Sequence, residues 1–106
     1  MQFDTIIRGG TVIDGDGSPG RRSDIGIADG RITAIADLSD AVHNAPTVIE
    51  AQGHIVCPGF IDIHTHSDLT LVDHPGGESK AYQGVTTEVI GNCGFSWFPT
   101  EDDAPA

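Results

Sequence analysis

Pro58-Gly59-Phe60-Ile61-Asp62-Ile63-His64-Thr65-His66-Ser67-Asp68 is an apolar stretch that runs out into two histidines one residue apart. On an extended chain successive side chains point to opposite faces, so Asp62, His64 and His66 are expected to share one face and Ile61 and Ile63 the other. Two imidazoles at this spacing can hold one metal ion. With five histidines among 106 residues a His-x-His pair also arises by chance, so its surroundings must carry the assignment.

Downstream of the pair, Ser67 to Gly77 reads as a loop containing His74 and Pro75, and Gly77 to Gln83 as a short helix that would not be stable alone. Gly84 falls where a helix C′ glycine belongs. Val85-Thr86-Thr87-Glu88-Val89-Ile90 is β-branched almost throughout and predicts a second strand, ending at Gly91-Asn92-Cys93-Gly94. Strand, loop, helix and strand over residues 60–90 make a βαβ unit, whose strands should be parallel neighbours joined by a right-handed crossover. Parallel neighbours bring their carboxyl ends to one edge, where open α/β sheets and barrels keep their chemistry. That edge would carry His64, His66 and Cys93, three metal-capable side chains.

Upstream, residues 1–57 predict a small antiparallel β unit. Phe3 to Ile7, Thr11 to Ile13, Asp24 to Ala28 and Arg31 to Ala36 are short apolar runs, separated by Gly9-Gly10, by the turn-rich segment 14–20 and by Asp29-Gly30. Asp-Gly is a two-residue hairpin signal, because both central positions of a type I′ turn need positive φ. Ile25, Ile27, Ile32 and Ile35 would supply the apolar side of that hairpin. Leu38 to Pro46 is a polar connection with His43 exposed. Thr47 to Ala51 and His54 to Cys57 are two more strands, with His54 a surface residue. Asp14 and Asp16 offer two carboxylates at spacing two but lack the further oxygens of a calcium loop, which favours a solvated turn. The change in character after Cys57 places a domain boundary there, between 1–57 and 58–106. Cys57, before a proline, is expected as a small buried hydrophobe.

Composition narrows the partners. Sixteen acidic against five basic residues give a formal net charge of −11, a surface that repels nucleic acid and anionic membrane. The start, Met1-Gln2-Phe3-Asp4, has no cationic segment, and no apolar run approaches a signal-peptide core or a membrane span, so a cytoplasmic location with reduced thiols is expected.

The residues resemble a known family. The 58–68 stretch, followed by Gln83-Gly84-Val85-Thr86-Thr87-Glu88-Val89-Ile90-Gly91-Asn92-Cys93-Gly94-Phe95-Ser96, is similar to the N-terminal part of the D-aminoacylase (N-acyl-D-amino-acid deacylase) branch of the amidohydrolase superfamily. Ile6-Ile7-Arg8-Gly9-Gly10-Thr11-Val12-Ile13-Asp14-Gly15, with Asp29-Gly30-Arg31-Ile32 later, resembles the start of the β-sandwich domain that precedes the barrel in those enzymes. The resemblance covers residues 3–96. It implies an α/β chain made of a small antiparallel β-sandwich piece followed by the first βαβ unit of an incomplete TIM-type (β/α)8 barrel.

The resemblance also implies zinc, with one tight site and a second, weaker one. His64 and His66 match the first-strand pair at the weaker position, and Cys93 matches the second-strand cysteine that holds the tight ion. Asp68 matches a recurring acidic position that at most supports the ligands from behind. The implied reaction is hydrolysis of the amide bond of a small N-acyl-D-amino acid by metal-activated water. The general acid/base, the other zinc histidines and the groups that bind the substrate carboxylate are expected outside this chain, which alone would be inactive. Asp62 and Glu88 are not expected to replace them: Asp62 would support the histidine strand, and Glu88 lies within a strand. The segment Trp97 to Ala106 departs from the family by placing aromatics and then acidic residues after Phe95-Ser96. Two other readings stay open. One is a cyclic-amide hydrolase of the dihydroorotase or hydantoinase kind, in which a carboxylated lysine would make Cys93 dispensable. The other is a non-catalytic metal-binding β module.

Overall fold

The computed structural model describes residues 2–94. The motif's last residues, Phe95-Ser96, and the aromatic and acidic segment after them lie outside the described residues. The chain divides between Pro58 and Gly59 into two compact units.

The first unit is one mixed sheet. Its strands are β1 (Thr5–Val12), β2 (Arg21–Ala28), β3 (Arg31–Ala36), β4 (Thr47–Glu50) and β5 (Ile55–Val56), in the order β3-β2-β1-β4, with β5 also on β1. The hairpin forms as its turn residues dictate: Asp29 and Gly30 have φ of 52° and 70°, both positive as a type I′ turn requires, and β2 and β3 pair antiparallel. The expectation of a wholly antiparallel sandwich piece is corrected here. β4 and β5 both run parallel to β1, along the edge opposite β2, and among the described residues there is no second sheet in this unit. Residues 37–46, including a 3-10 turn at Val42–Asn44, carry the chain across to that edge.

Gly9-Gly10 does not separate two strands, as its composition suggests, but makes a bulge inside β1, where the pairing with β2 shifts register. Gly9 has φ of 69°. Its N–H leaves the ladder and donates to the buried Asp24 carboxylate at 2.7 Å, which also accepts from the Leu38 N–H at 2.9 Å. Gly10 is required for space: a Cβ there would lie 2.5 Å from Val56 Cγ2 and 3.2 Å from Ala51 Cβ. The bulge thus falls where β1 changes partner from β4 to β5.

Phe3, Ile6, Val12, Ile25 and Ala51 are the buried apolar side chains among the described residues, and all belong to this unit. Ile32 and Ile35 lie opposite Ile27 and Ile25 in the hairpin register yet stay exposed, lining an apolar groove of about 180 Å³ with Val12 and Val56. Cys57 borders the same groove and is exposed, not buried, because it follows the last strand and has no layer above it. Asp14 and Asp16 form a solvated turn. Asp16 accepts from the Ser18 N–H at 2.7 Å, and Asp14 pairs with Arg21 at 3.0 Å.

The second unit carries β6 (Phe60–Asp62), two helical turns, α1 (Ser67–Thr70) and α2 (Glu78–Ala81), and β7 (Val85–Glu88). α1 lies inside the stretch expected to be loop. β6 and β7 are parallel, with Asp62 opposite Glu88. Gly84, with φ of 82°, turns the chain out of the helical segment and its carbonyl accepts from the Phe60 N–H at 2.8 Å. Ile61 and Ile63 are 64% and 66% exposed, and Phe60, Val89 and Ile90 are also exposed, so among the described residues this unit leaves the apolar faces of its strand pair uncovered by its own elements. No helix among the described residues is long and apolar enough to cross a membrane.

Candidate metal centre

β6 ends at Asp62, so His64 and His66 stand just beyond the strand and not on it. The alternation of sides nevertheless continues through the segment: His64 and His66 are exposed, while Thr65 and Ser67 are 5% and 7% exposed. β7 likewise stops at Glu88, two residues before the predicted end, although the Val89 N–H still donates to the Asp62 carbonyl at 2.8 Å. Beyond it Gly91, with φ of 80°, bends the chain back. The Asn92 side-chain amide then donates to the Ile63 carbonyl at 2.7 Å, tying the end of the second strand to that of the first.

This tie delivers Cys93 to the histidines. One ligand atom from each of His64, His66 and Cys93 lies within 4.8 Å of the others, and His64 Nε2 is 2.5 Å from Cys93 Sγ. The two imidazole rings meet edge to face, with centroids 5.9 Å apart. The donors suit zinc: imidazole nitrogen and thiolate sulfur are its preferred ligands, and three protein ligands leave a fourth position open. His64, His66 and Cys93 are the residues that would hold such an ion, and it would supply Lewis acidity at this edge.

Asp68 lies in the first turn of α1, half-buried, and is not among the grouped ligand atoms. His74 lines an open cleft of about 490 Å³ that also borders His66, but it does not join the group either. His43 and His54 are exposed residues of the other unit.

Behind the histidines sits a polar cluster that composition and spacing did not bring out. Asp62 does not share the histidines' setting. One of its oxygens accepts from the His64 N–H at 3.1 Å and the other takes a short bond from the Lys80 ammonium. Lys80 also lies 3.7 Å from Glu88 Oε1, which accepts from Thr65 Oγ1 at 3.0 Å and Ser67 Oγ at 2.6 Å. The Lys80 bond and the His64 N–H hold the Asp62 carboxyl below the usual carboxylate range. The Ser67 and Thr65 hydroxyls, helped by Lys80, do the same for Glu88 against the cost of its partial burial. The pairing with Asp62 raises Lys80 in turn. One signal in the sequence bears on this cluster: residues alternating with His64 and His66 must face inward, and both carry hydroxyls that need a partner there.

A parallel strand pair that brings two imidazoles and a thiol together at its carboxyl edge places the chain among α/β proteins that keep their chemistry at that edge. Likeness to known proteins narrows the class. A model of the amidohydrolase family matches residues 47–105, and the chain belongs to that family. An N-acyl-D-glutamate deacylase of Alcaligenes xylosoxydans xylosoxydans is 53% identical over 98 residues, 92% of this chain and 20% of the relative. Among solved structures, the N-acyl-D-glutamate deacylase of Bordetella bronchiseptica, complexed with zinc and a phosphonate mimic of the tetrahedral intermediate, superposes with a TM-score of 0.81 at 50% identity, covering 91% of this chain and 20% of that one. A D-aminoacylase with a binuclear metal centre, described as activated by one metal and attenuated by the second, gives 0.83 at 48% identity, covering 98% and 22%. The chain thus spans about a fifth of the length of the relatives it matches.

Proposed function

We propose that this chain is the N-terminal part of a zinc-dependent amidohydrolase that cleaves the amide bond of small N-acyl-D-amino acids. The observation that carries the reading is the meeting of His64, His66 and Cys93, within 4.8 Å, at the carboxyl edge of two parallel strands. The names of the relatives supply the substrate class, and the zinc in the Bordetella enzyme supplies the metal. Residues 1–57 would be the beginning of the β-sandwich domain, and residues 58–106 the first strands of a (β/α)8 barrel whose exposed Ile61 and Ile63 await neighbouring elements.

In this reading His64 and His66 present imidazole nitrogens and Cys93 a thiolate. Cys93 is the chain's part of a tight site, and the histidines contribute to a second, weaker one. A zinc ion, when bound, supplies Lewis acidity toward an amide carbonyl and acidifies water toward neutral pH. Asp62 holds the His64 backbone, and Asn92 holds the turn that presents Cys93. Asp68 supports the ligands from the adjoining turn. The general acid for the leaving amine and the groups that recognise the substrate carboxylate are assigned to sequence outside these 106 residues, so these residues alone would not turn over substrate. Both cysteines are free thiols, which suits a reducing, cytoplasmic compartment.

The test is Cys93→Ala in a full-length enzyme carrying this segment. Loss of zinc and of N-acyl-D-amino-acid hydrolysis is expected. Hydrolysis and zinc content equal to the parent would refute the reading and favour a lysine-bridged, cyclic-amide type of centre.

A further inference from the structure

We infer that Glu88, linked through Lys80 to Asp62, is a positioning residue that sets the spacing and direction of His64 and His66. The inference rests on the metal-site reading above and goes beyond it, because none of these three groups is a ligand there. The geometry is that of a clamp on four consecutive residues. Asp62 takes the His64 N–H. One oxygen of Glu88 takes the hydroxyls of Thr65 and Ser67, the residues on either side of His66. Lys80 lies between the two carboxylates, bonded to one and 3.7 Å from the other.

The segment so held has left β6 and leads into α1, where the His66 carbonyl accepts from the Leu69 N–H at 3.0 Å and the Ser67 carbonyl from the Leu71 N–H at 2.7 Å, so its side-chain bonds are what hold the residues before the helix. The alternation of sides converts the inward bonds into outward aim. With Thr65 and Ser67 buried and bonded to Glu88, His66 between them, at the start of α1, lies on the exposed side, and His64 is set by its N–H bond to Asp62. A carboxylate can accept several hydrogen bonds at once, and the Lys80 charge compensates its partial burial. The cluster is also built across the strand pair: Glu88 ends β7 and Asp62 ends β6, opposite each other in register. The strand that leads to Cys93 therefore also anchors the segment that carries the histidines.

Partners of this kind behind metal ligands typically contribute 10–100-fold in affinity. The experiment is a cobalt(II) titration of the chain, read by the thiolate-to-cobalt absorption band and by competition with a chelator. Glu88→Ala is expected to weaken binding by about 10–100-fold and to alter the band. Glu88→Gln, which keeps an acceptor oxygen, is expected to restore much of the loss. Thr65→Val and Ser67→Ala each remove one strut and are expected to weaken binding by smaller factors; they decide the matter if Glu88→Ala does not fold. Ile6→Ala, which thins the core of the other unit, is the control for a general loss of stability and is expected to leave the affinity unchanged. Wild-type affinity and spectrum in Glu88→Ala, or in both hydroxyl variants, would overturn the inference. Wild-type binding in Cys93→Ala and His64→Ala would instead overturn the metal-site reading on which it stands.

Discussion

Replacing Gly59 with alanine tests whether the spacing of the two parallel strands governs the grouping of His64, His66 and Cys93. The glycine needs no unusual backbone conformation, so the effect is one of space. A Cβ at this position would lie 2.8 Å from Thr86 Cβ and closer still to Thr86 Oγ1 and Cγ2. The carbon pair alone falls about 0.7 Å short of the ~3.5 Å at which carbons pack. β7 must therefore move away from β6 at the start of the pairing, or the Thr86 side chain must leave its rotamer. Overpacking of this kind costs about 1–3 kcal/mol. A displacement approaching 1 Å would carry through the short strands to the edge where Cys93 meets the histidines. Urea unfolding and cobalt titration, run together, should show a lower midpoint and a weaker, shifted thiolate band. Thr86→Ala in the Gly59→Ala background removes the two nearest atoms and should recover part of both. A Gly59→Ala chain that unfolds and binds cobalt as the parent does, or one made worse by Thr86→Ala, would refute the reasoning.

Two further outcomes follow from the same geometry. Asp62 and Glu88 titrate lower when folded than when unfolded, so the folded state binds fewer protons on mild acidification. Their contribution is present above the ordinary carboxylate range and is lost as the pH falls through the depressed values. Lys80, raised by Asp62, contributes below the ordinary lysine range and loses its part only as strongly alkaline pH passes the raised value. Lys80→Met removes the shared charge, so it should lower the melting temperature at pH 7 and make its fall below about pH 5 shallower than in the parent; an acid limb of unchanged slope would contradict this. In the first unit Ile6 is fully buried, and Ile6→Ala should destabilise the chain by about 2–5 kcal/mol in chemical denaturation. A change well under 1 kcal/mol would mean that the sheet is not packed as described.

Much of the site could be read without coordinates because its determinants are local or nearly so. A hairpin at Asp29-Gly30 depends on two positive φ angles, and the pair of residues that tolerate them is visible in the chain. Two β-branched or apolar runs separated by a short helical segment constrain each other to lie parallel, and β6 and β7 do. That topology was enough to bring Cys93 into view of His64 and His66 across nearly thirty residues. The histidines' exit from the strand was less legible. Hydrogen-bond pairing ends at Asp62, whose carboxylate accepts the His64 N–H, and a lone Asp inside an otherwise apolar run is a weak mark of that turn in the sequence.

The sequence by itself determined the Asp29-Gly30 hairpin, the parallel strand pair and the meeting of three side chains at its edge, because backbone conformation and side-chain alternation are written residue by residue. Only the tertiary structure decided which strand each edge accepts. β4 and β5 joined β1 in parallel because residues 37–46 carry the chain back to the free edge, and the Gly10 site leaves room there for Ala51 and Val56. It likewise decided that Lys80, Glu88, Thr65 and Ser67 meet behind the histidines. A hydroxyl or a carboxylate carries no periodic mark of its partner; which one it finds depends on the packing that removes both from water.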